Sequence, residues 1–75
     1  MARLLMFGQI AEITGAREMN VQTEDTQALL AALTEKFPLL KNAVYAVAVN
    51  QTTVQVNTPL SETDEVALLP PYSGG

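Results

Sequence analysis

The sequence predicts an α+β fold, a mixed five-stranded sheet with one main helix packed on one face. Three observations carry that prediction. The segments follow the order strand, strand, helix, strand, strand, strand. Only one stretch, Ala28 to Phe37, places apolar residues at the spacing of a long helix. The first and last apolar runs, Ala2–Phe7 and Val66–Leu69, are apolar on both faces, as suits strands at the centre of a sheet.

The elements follow in order. In Ala2–Phe7, Leu5 and Phe7 share one side and Leu4 and Met6 the other, so both faces are expected to be covered. Between Gly8 and Gly15, Ile10 and Ile13 stand three apart, the spacing of one or two helical turns. Glu18–Thr23 alternates polar with Met19 and Val21, an edge strand with one wet face. Asp25 is the expected N-cap of the helix, its carboxylate accepting from free backbone N–H groups. Ala28, Leu29, Ala32, Leu33 and Phe37, flanked by Leu30 and Leu40, form the stripe, and Pro38 ends it. Ala43–Val49 is the strongest strand signal. Asn50-Gln51-Thr52 supplies a turn into a shorter strand, Thr53–Val56. Asn57-Thr58-Pro59 breaks it, Ser61–Glu65 is a polar turn, and Val66–Leu69 is the last strand. Pro70-Pro71 removes consecutive N–H donors, so pairing stops there. This order, with a right-handed crossover, is that of the ubiquitin-like β-grasp, whose first and last strands lie parallel at the centre. The domain is expected to span residues 1–70, with residues 71–75 as a flexible tail.

Composition narrows the function. Seventy-five residues make one small domain, near the lower limit for an unstapled core. With no cysteine, neither a disulfide nor a thiolate metal site is available. A domain that needs no disulfide suits a reducing cytosol, and we expect a soluble cytoplasmic protein. The longest apolar run, Ala43–Val49, has seven residues, too few for a membrane span, and the N-terminal run reads as a strand rather than a signal peptide. The net charge is −4, and the four bases, Arg3, Arg17, Lys36 and Lys41, are scattered, which argues against nucleic acid and is compatible with a basic protein partner.

Histidine is absent as well, so there is no imidazole base and no Cys/His nucleophile pair. No phosphate-cradling G-x-x-x-x-G-K-[ST] loop exists. Glu62, Asp64 and Glu65 are the densest group of carboxylates, and they read as a solvated turn before a metal or acid/base site. Asn50 and Gln51 read as turn residues before ligands. The chain is therefore not expected to be a self-sufficient enzyme.

What remains is the ending, Pro71-Tyr72-Ser73-Gly74-Gly75. At an average glycine usage of about 7%, a chance Gly-Gly end is roughly a one-in-two-hundred event. Glycine has no β-carbon and enters narrow slots, so the reactive group could be the carboxylate of Gly75 itself. On the dipeptide alone, a frayed and inert end is the simpler reading. Extended, Pro71–Gly75 reaches at most about 17 Å, enough to enter a buried site while the body stays outside. The prolines stiffen its base. An apolar docking patch is expected beside the last strand, at Phe7, Leu60 and Leu69, each of which also has a core reading.

Val49-Asn50-Gln51-Thr52, Pro59-Leu60 and Asp64-Glu65-Val66-Ala67-Leu68-Leu69-Pro70-Pro71-Tyr72-Ser73-Gly74-Gly75 resemble the small, sulfur-carrier subunits of molybdopterin synthases. Leu5-Met6-Phe7-Gly8-Gln9 is similar too, so the resemblance spans essentially the whole chain. Its most specific part is the D-E-V-A-x-x-P-P-x-x-G-G ending, because a bare Gly-Gly is common to ubiquitin-like carriers. Leu68-Leu69 departs from the aromatic residues that many members carry. The resemblance implies that an E1-like activating enzyme, using ATP and Mg, adenylates Gly75. Sulfur then displaces AMP to give a C-terminal thiocarboxylate. The tail, Pro71 to Gly74 leading to Gly75, enters the large catalytic subunit, where the sulfur attacks cyclic pyranopterin monophosphate on the way to the molybdopterin dithiolene. The resemblance further implies a heterotetramer of small and large subunits and no cofactor or metal held by this chain. Sulfur supply for thiamine thiazole, protein modification, and a small acidic binding module with an inert tail remain the alternatives.

Overall fold

The computed structural model describes residues 1–69. Its elements are β1 (Ala2–Met6), α1 (Gly8–Thr14), β2 (Glu18–Val21), α2 (Thr26–Lys36), a 3-10 turn at Pro38–Asn42, β3 (Ala46–Val49), β4 (Thr52–Val54) and β5 (Glu65–Leu69). The five strands form one sheet in the order β2-β1-β5-β3-β4. β1 and β5 are parallel central neighbours, with Leu4 opposite Val66 and Met6 opposite Leu68, and every other pairing is antiparallel. This is the expected ubiquitin-like β-grasp.

The core lies between α2 and one face of the sheet. Leu4, Met6, Val66 and Leu68 project from the central strands onto Leu29 and Leu33 of α2, Ile10 of α1 and Leu40 of the 3-10 turn. Leu4, Val66 and Leu68 have no exposed surface, which is where a small domain concentrates its apolar stabilisation. Asp25 caps α2 as expected, its Oδ1 accepting from the Ala28 N–H at 2.8 Å. Asn57 reinforces that start from the far side of the chain: its Oδ1 accepts from the Gln27 N–H at 2.8 Å, and its Nδ2 donates to Asp25. Gly15 closes α1 in the left-handed region, at φ 75°, with its N–H on the Ala11 carbonyl.

Several boundaries differ from expectation, each for a local reason. β1 is covered on one face only: Leu5 is half-buried and Phe7 exposed on the face away from α2. On α2, Ala28 and Ala32 face solvent, and the inward stripe is Thr26, Leu29 and Leu33, with Leu30 and Phe37 half-buried. Residues 28–33 are apolar all round, so spacing alone leaves the phase of the stripe open. The helix stops at Lys36, with Phe37 as its C-cap.

β3 begins at Ala46 rather than Ala43, because the 3-10 turn runs to Asn42 and the ladder to β5 ends at the Ala46–Leu69 pair. Asn50 and Gln51 alone make the hairpin turn, at φ 51° and 71°. These are the positive values that a two-residue type I′ hairpin requires, so Thr52 is already paired, opposite Val49. No helix among the described residues is long and apolar enough to cross a membrane.

Candidate functional site

β1 and β5 run side by side and finish at the same end of the sheet, which brings Phe7 beside Leu69. Side chains alternate along a strand, so Leu5, Phe7, Ala67, Leu69 and Ala46 lie on the face opposite α2. No layer of the described chain covers that face. Phe7 is 44% exposed, and Leu5, Ala46, Ala67 and Leu69 are half-buried, giving an apolar surface around the point where the chain passes from Leu69 to residue 70. An open groove of about 790 Å³ borders it, lined in part by Phe7, Gly8, Glu12, Arg17 and Glu18.

The Arg3 end of the same face is polar, and through Glu18 that polar group reaches the strand position opposite Leu5. Arg3 donates from Nε to Glu18 Oε2 at 2.6 Å and has Glu65 Oε2 3.8 Å from Nη1. The hydrogen bond and charge of Glu18, aided by Glu65, raise the Arg3 pKa above its ordinary value. All three side chains are solvent-accessible, so their pairing adds little to stability and mainly keeps this end of the face hydrophilic.

The start of β5 is fixed by side chains from the β3–β4 turn. Asn50 Nδ2 donates to Asp64 Oδ1 at 2.9 Å, and Asn50 Oδ1 accepts from the Glu65 N–H at 3.0 Å. The Asn50 N–H donates to the Glu65 carbonyl at 2.7 Å, while Asp64 Oδ2 accepts from the Ser61 N–H at 2.8 Å. These bonds, led by that from Asn50, pull the Asp64 pKa below its ordinary value. The carboxylate is thus committed to holding the turn. Pinning β5 at Glu65 in register with Arg3 determines where its far end, Leu69, emerges.

The predicted docking residues separate into two groups. Phe7 and Leu69 come together, whereas Leu60 does not join them. The Leu60 N–H donates to the Glu24 carbonyl at 2.8 Å, and Pro59 bridges Asp25, which straps this segment to the β2–α2 connection. Leu60 therefore packs against the core near Met1 and Ala2, at the opposite end of β1. Pro71, Tyr72, Ser73, Gly74 and Gly75 lie outside the described residues. Sequence reasoning missed Ala46 and Ala67, and it placed Leu5 on a covered face. Their detectable signal is register: Leu5 and Ala67 each stand one step from a buried residue of their own strand, and Ala46 pairs opposite Leu69. Among the described residues, no group of three His, Cys, Asp or Glu side chains is placed to hold a metal ion.

A ubiquitin-like sheet with an open apolar surface at the end of its last strand defines a small β-grasp protein organised around the C-terminal side of that strand. The chain belongs to the ThiS family, whose profile matches residues 4–75. It is 37% identical, over the full length of both chains, to the molybdopterin synthase sulfur carrier subunit of Escherichia coli (strain K12). Among solved structures it resembles a chain in the protein–protein complex of subunits 1 and 2 of the molybdopterin-converting factor from Helicobacter pylori 26695. That likeness has a TM-score of 0.76 and 33% identity, over 99% of this chain and 97% of that one. It also shares the fold of the small archaeal modifier protein 1 from Methanosarcina acetivorans, with a TM-score of 0.84 at 24% identity over 99% and 95% of the two chains.

Proposed function

We propose that this protein is the sulfur-carrier subunit of a molybdopterin synthase. The observation that carries the reading is the end-to-end similarity, at 37% identity, to a relative with that name. It agrees with the sequence, which has no histidine or cysteine and ends in Gly74-Gly75. A carboxylate oxygen is a poor leaving group, so Gly75 must first be activated. An ATP- and Mg-dependent, E1-like enzyme joins the Gly75 carboxylate to AMP and releases pyrophosphate. A sulfur donor then displaces AMP, leaving a thiocarboxylate. Its sulfur is delivered to cyclic pyranopterin monophosphate inside the large subunit, and two such transfers supply the dithiolene of molybdopterin.

The surface of Leu5, Phe7, Ala67 and Leu69 is the docking face in this scheme. It surrounds the base of the segment that must enter the partner, so docking and insertion are one event. The complex of the Helicobacter pylori protein with its second subunit supports a large-subunit partner, and a heterotetramer of two small and two large subunits is the expected assembly. We place the protein in the cytoplasm, with these two protein partners and no nucleic acid or membrane partner.

A second reading, a ubiquitin-like protein modifier, is favoured by the fold shared with the archaeal modifier. Intact-mass measurement after incubation with activating enzyme, ATP, Mg and a sulfur source tests the carrier chemistry: one terminal oxygen must be replaced by sulfur. Deleting Gly75 must abolish that replacement with the domain still folded. Complementation then separates the branches. Rescue of a strain lacking the small subunit, read as restored molybdoenzyme activity, supports the proposal. Rescue of thiamine auxotrophy alone, or cofactor synthesis by the truncated chain, overturns it.

A further inference from the structure

The two edges of the sheet are guarded unequally. β2 carries Glu18, ion-paired with Arg3, and is flanked by Arg17 and Glu24. β4, at the other edge, lies within a segment that has no charged residue at all, from Asn42 to Ser61. Sheet edges are normally protected from pairing by charged side chains, and here the run Thr52-Thr53-Val54-Gln55-Val56-Asn57 has none. It combines β-forming residues with zero charge and no proline, the composition of segments that pair with copies of themselves. An apolar groove lies beside it, lined in part by Leu30, Val47, Val54 and Val56, and Val56 is 76% exposed.

From this edge we infer that the protein associates with a second copy of itself by antiparallel pairing of β4 with β4 across a two-fold axis. Charge selects that occupant. Each copy carries a net charge of −4, so approach through most of the surface is repulsive, whereas two uncharged edges meet without like charges in contact. A two-fold pairing of one strand with itself is self-complementary and closed, so it stops at a dimer. The two β5 strands then stand five strand spacings apart, about 24 Å, and run in opposite directions. Both docking faces stay open, which makes the association compatible with the carrier role without depending on it. β4 spans only Thr52–Val54, so the pair is weak and forms at high protein concentration.

Dilution of the isolated, isotopically labelled protein between about 2 mM and about 20 μM tests this by mass action. Amide shifts should move with concentration at residues 52–57, and the mass in solution should rise from 8.1 kDa towards twice that value. Val56→Lys places a charge on an exposed position and should hold the mass at 8.1 kDa with the parent fold. Gln55→Lys, also exposed, repeats the test if the first variant misfolds. A monomer at every concentration overturns the inference. So do shifts centred on Leu5, Phe7 and Ala67, or a dimer that survives the lysine. Shifts at β4 that appear only on adding an unrelated extended peptide would assign the edge to a foreign strand instead.

Discussion

Replacing Asn50 by alanine tests whether the turn-to-strand clamp holds the fold together. The side chain makes two hydrogen bonds, to Asp64 Oδ1 and from the Glu65 N–H, at 2.9 and 3.0 Å. Each contributes about 0.5–1.5 kcal/mol net, and their solvent exposure favours the lower half of that range. Alanine must also adopt φ near 51°, a left-handed conformation costing about 1 kcal/mol or somewhat more. The expected loss is about 2–3 kcal/mol, out of a total that for a domain of this length is about 4–11 kcal/mol. Thermal unfolding should drop by about 10–20 °C. Asn50→Gly separates the causes, since it loses the same bonds without the left-handed cost and, after the entropy of glycine in the unfolded chain, should fall about 0.5 kcal/mol less.

The acid limb of stability supplies a third readout. Asp64 has a depressed folded-state pKa, so its contribution is fully present above the unfolded carboxyl pKa and is lost as pH falls through the folded value. Removing Asn50, the leading cause of that depression, should flatten the decline below about pH 4. Urea titrations of the three proteins from neutral to acidic pH measure all of this. A loss under about 0.5 kcal/mol in Asn50→Ala, or an unchanged acid limb, would refute the clamp.

Three further outcomes are expected. Gln51 sits at φ 71° without the freedom of glycine, so Gln51→Gly should raise the melting temperature by a few degrees, a gain of about 0.5 kcal/mol after the entropy of glycine in the unfolded chain; an unchanged or lower melting temperature counts against the strained turn. Asp25→Ala removes the α2 cap and one bond from Asn57 and should cost about 1–2 kcal/mol by denaturant unfolding, whereas Asp25→Asn should cost much less. Phe7→Asp, at an exposed position, should leave the melting temperature near that of the parent while weakening binding to the large subunit by tenfold or more in calorimetry; undiminished binding removes Phe7 from the docking face.

The sheet order and the helix were readable because long apolar runs leave few ways to bury themselves. The open face was readable only in part. Phe7 and Leu69 are expected beside the last strand, but Leu5 reads as core because an apolar residue at the surface has the same chemistry as one in the interior. The start of β3 was hidden for a related reason: Ala43–Val49 is uniformly apolar, and nothing in it marks where pairing with β5 stops. The hairpin was found but misplaced by one residue, since Gln51 is an unusual occupant of a left-handed turn position. Leu60 is grouped with Phe7 and Leu69 as an apolar residue expected beside the last strand, although its backbone is strapped to Glu24 at the other end of β1. Of the stretches that carry the family likeness, Asn50 and Asp64-Glu65 meet in space as the clamp, so part of that likeness is architectural.

The parallel pairing of β1 with β5 has a consequence for how the molecule comes into being. The middle of the sheet needs residues about sixty positions apart to meet, and loop closure over that span is slow compared with forming a hairpin or a helix. A chain interrupted before Glu65 has no central partner for Leu4 or Met6, so no half-domain is available as a resting state. Insertion of β5 joins the β2-β1 pair to the β3-β4 pair, so the position at which the chain leaves the sheet, at Leu69, is fixed only in the completed sheet.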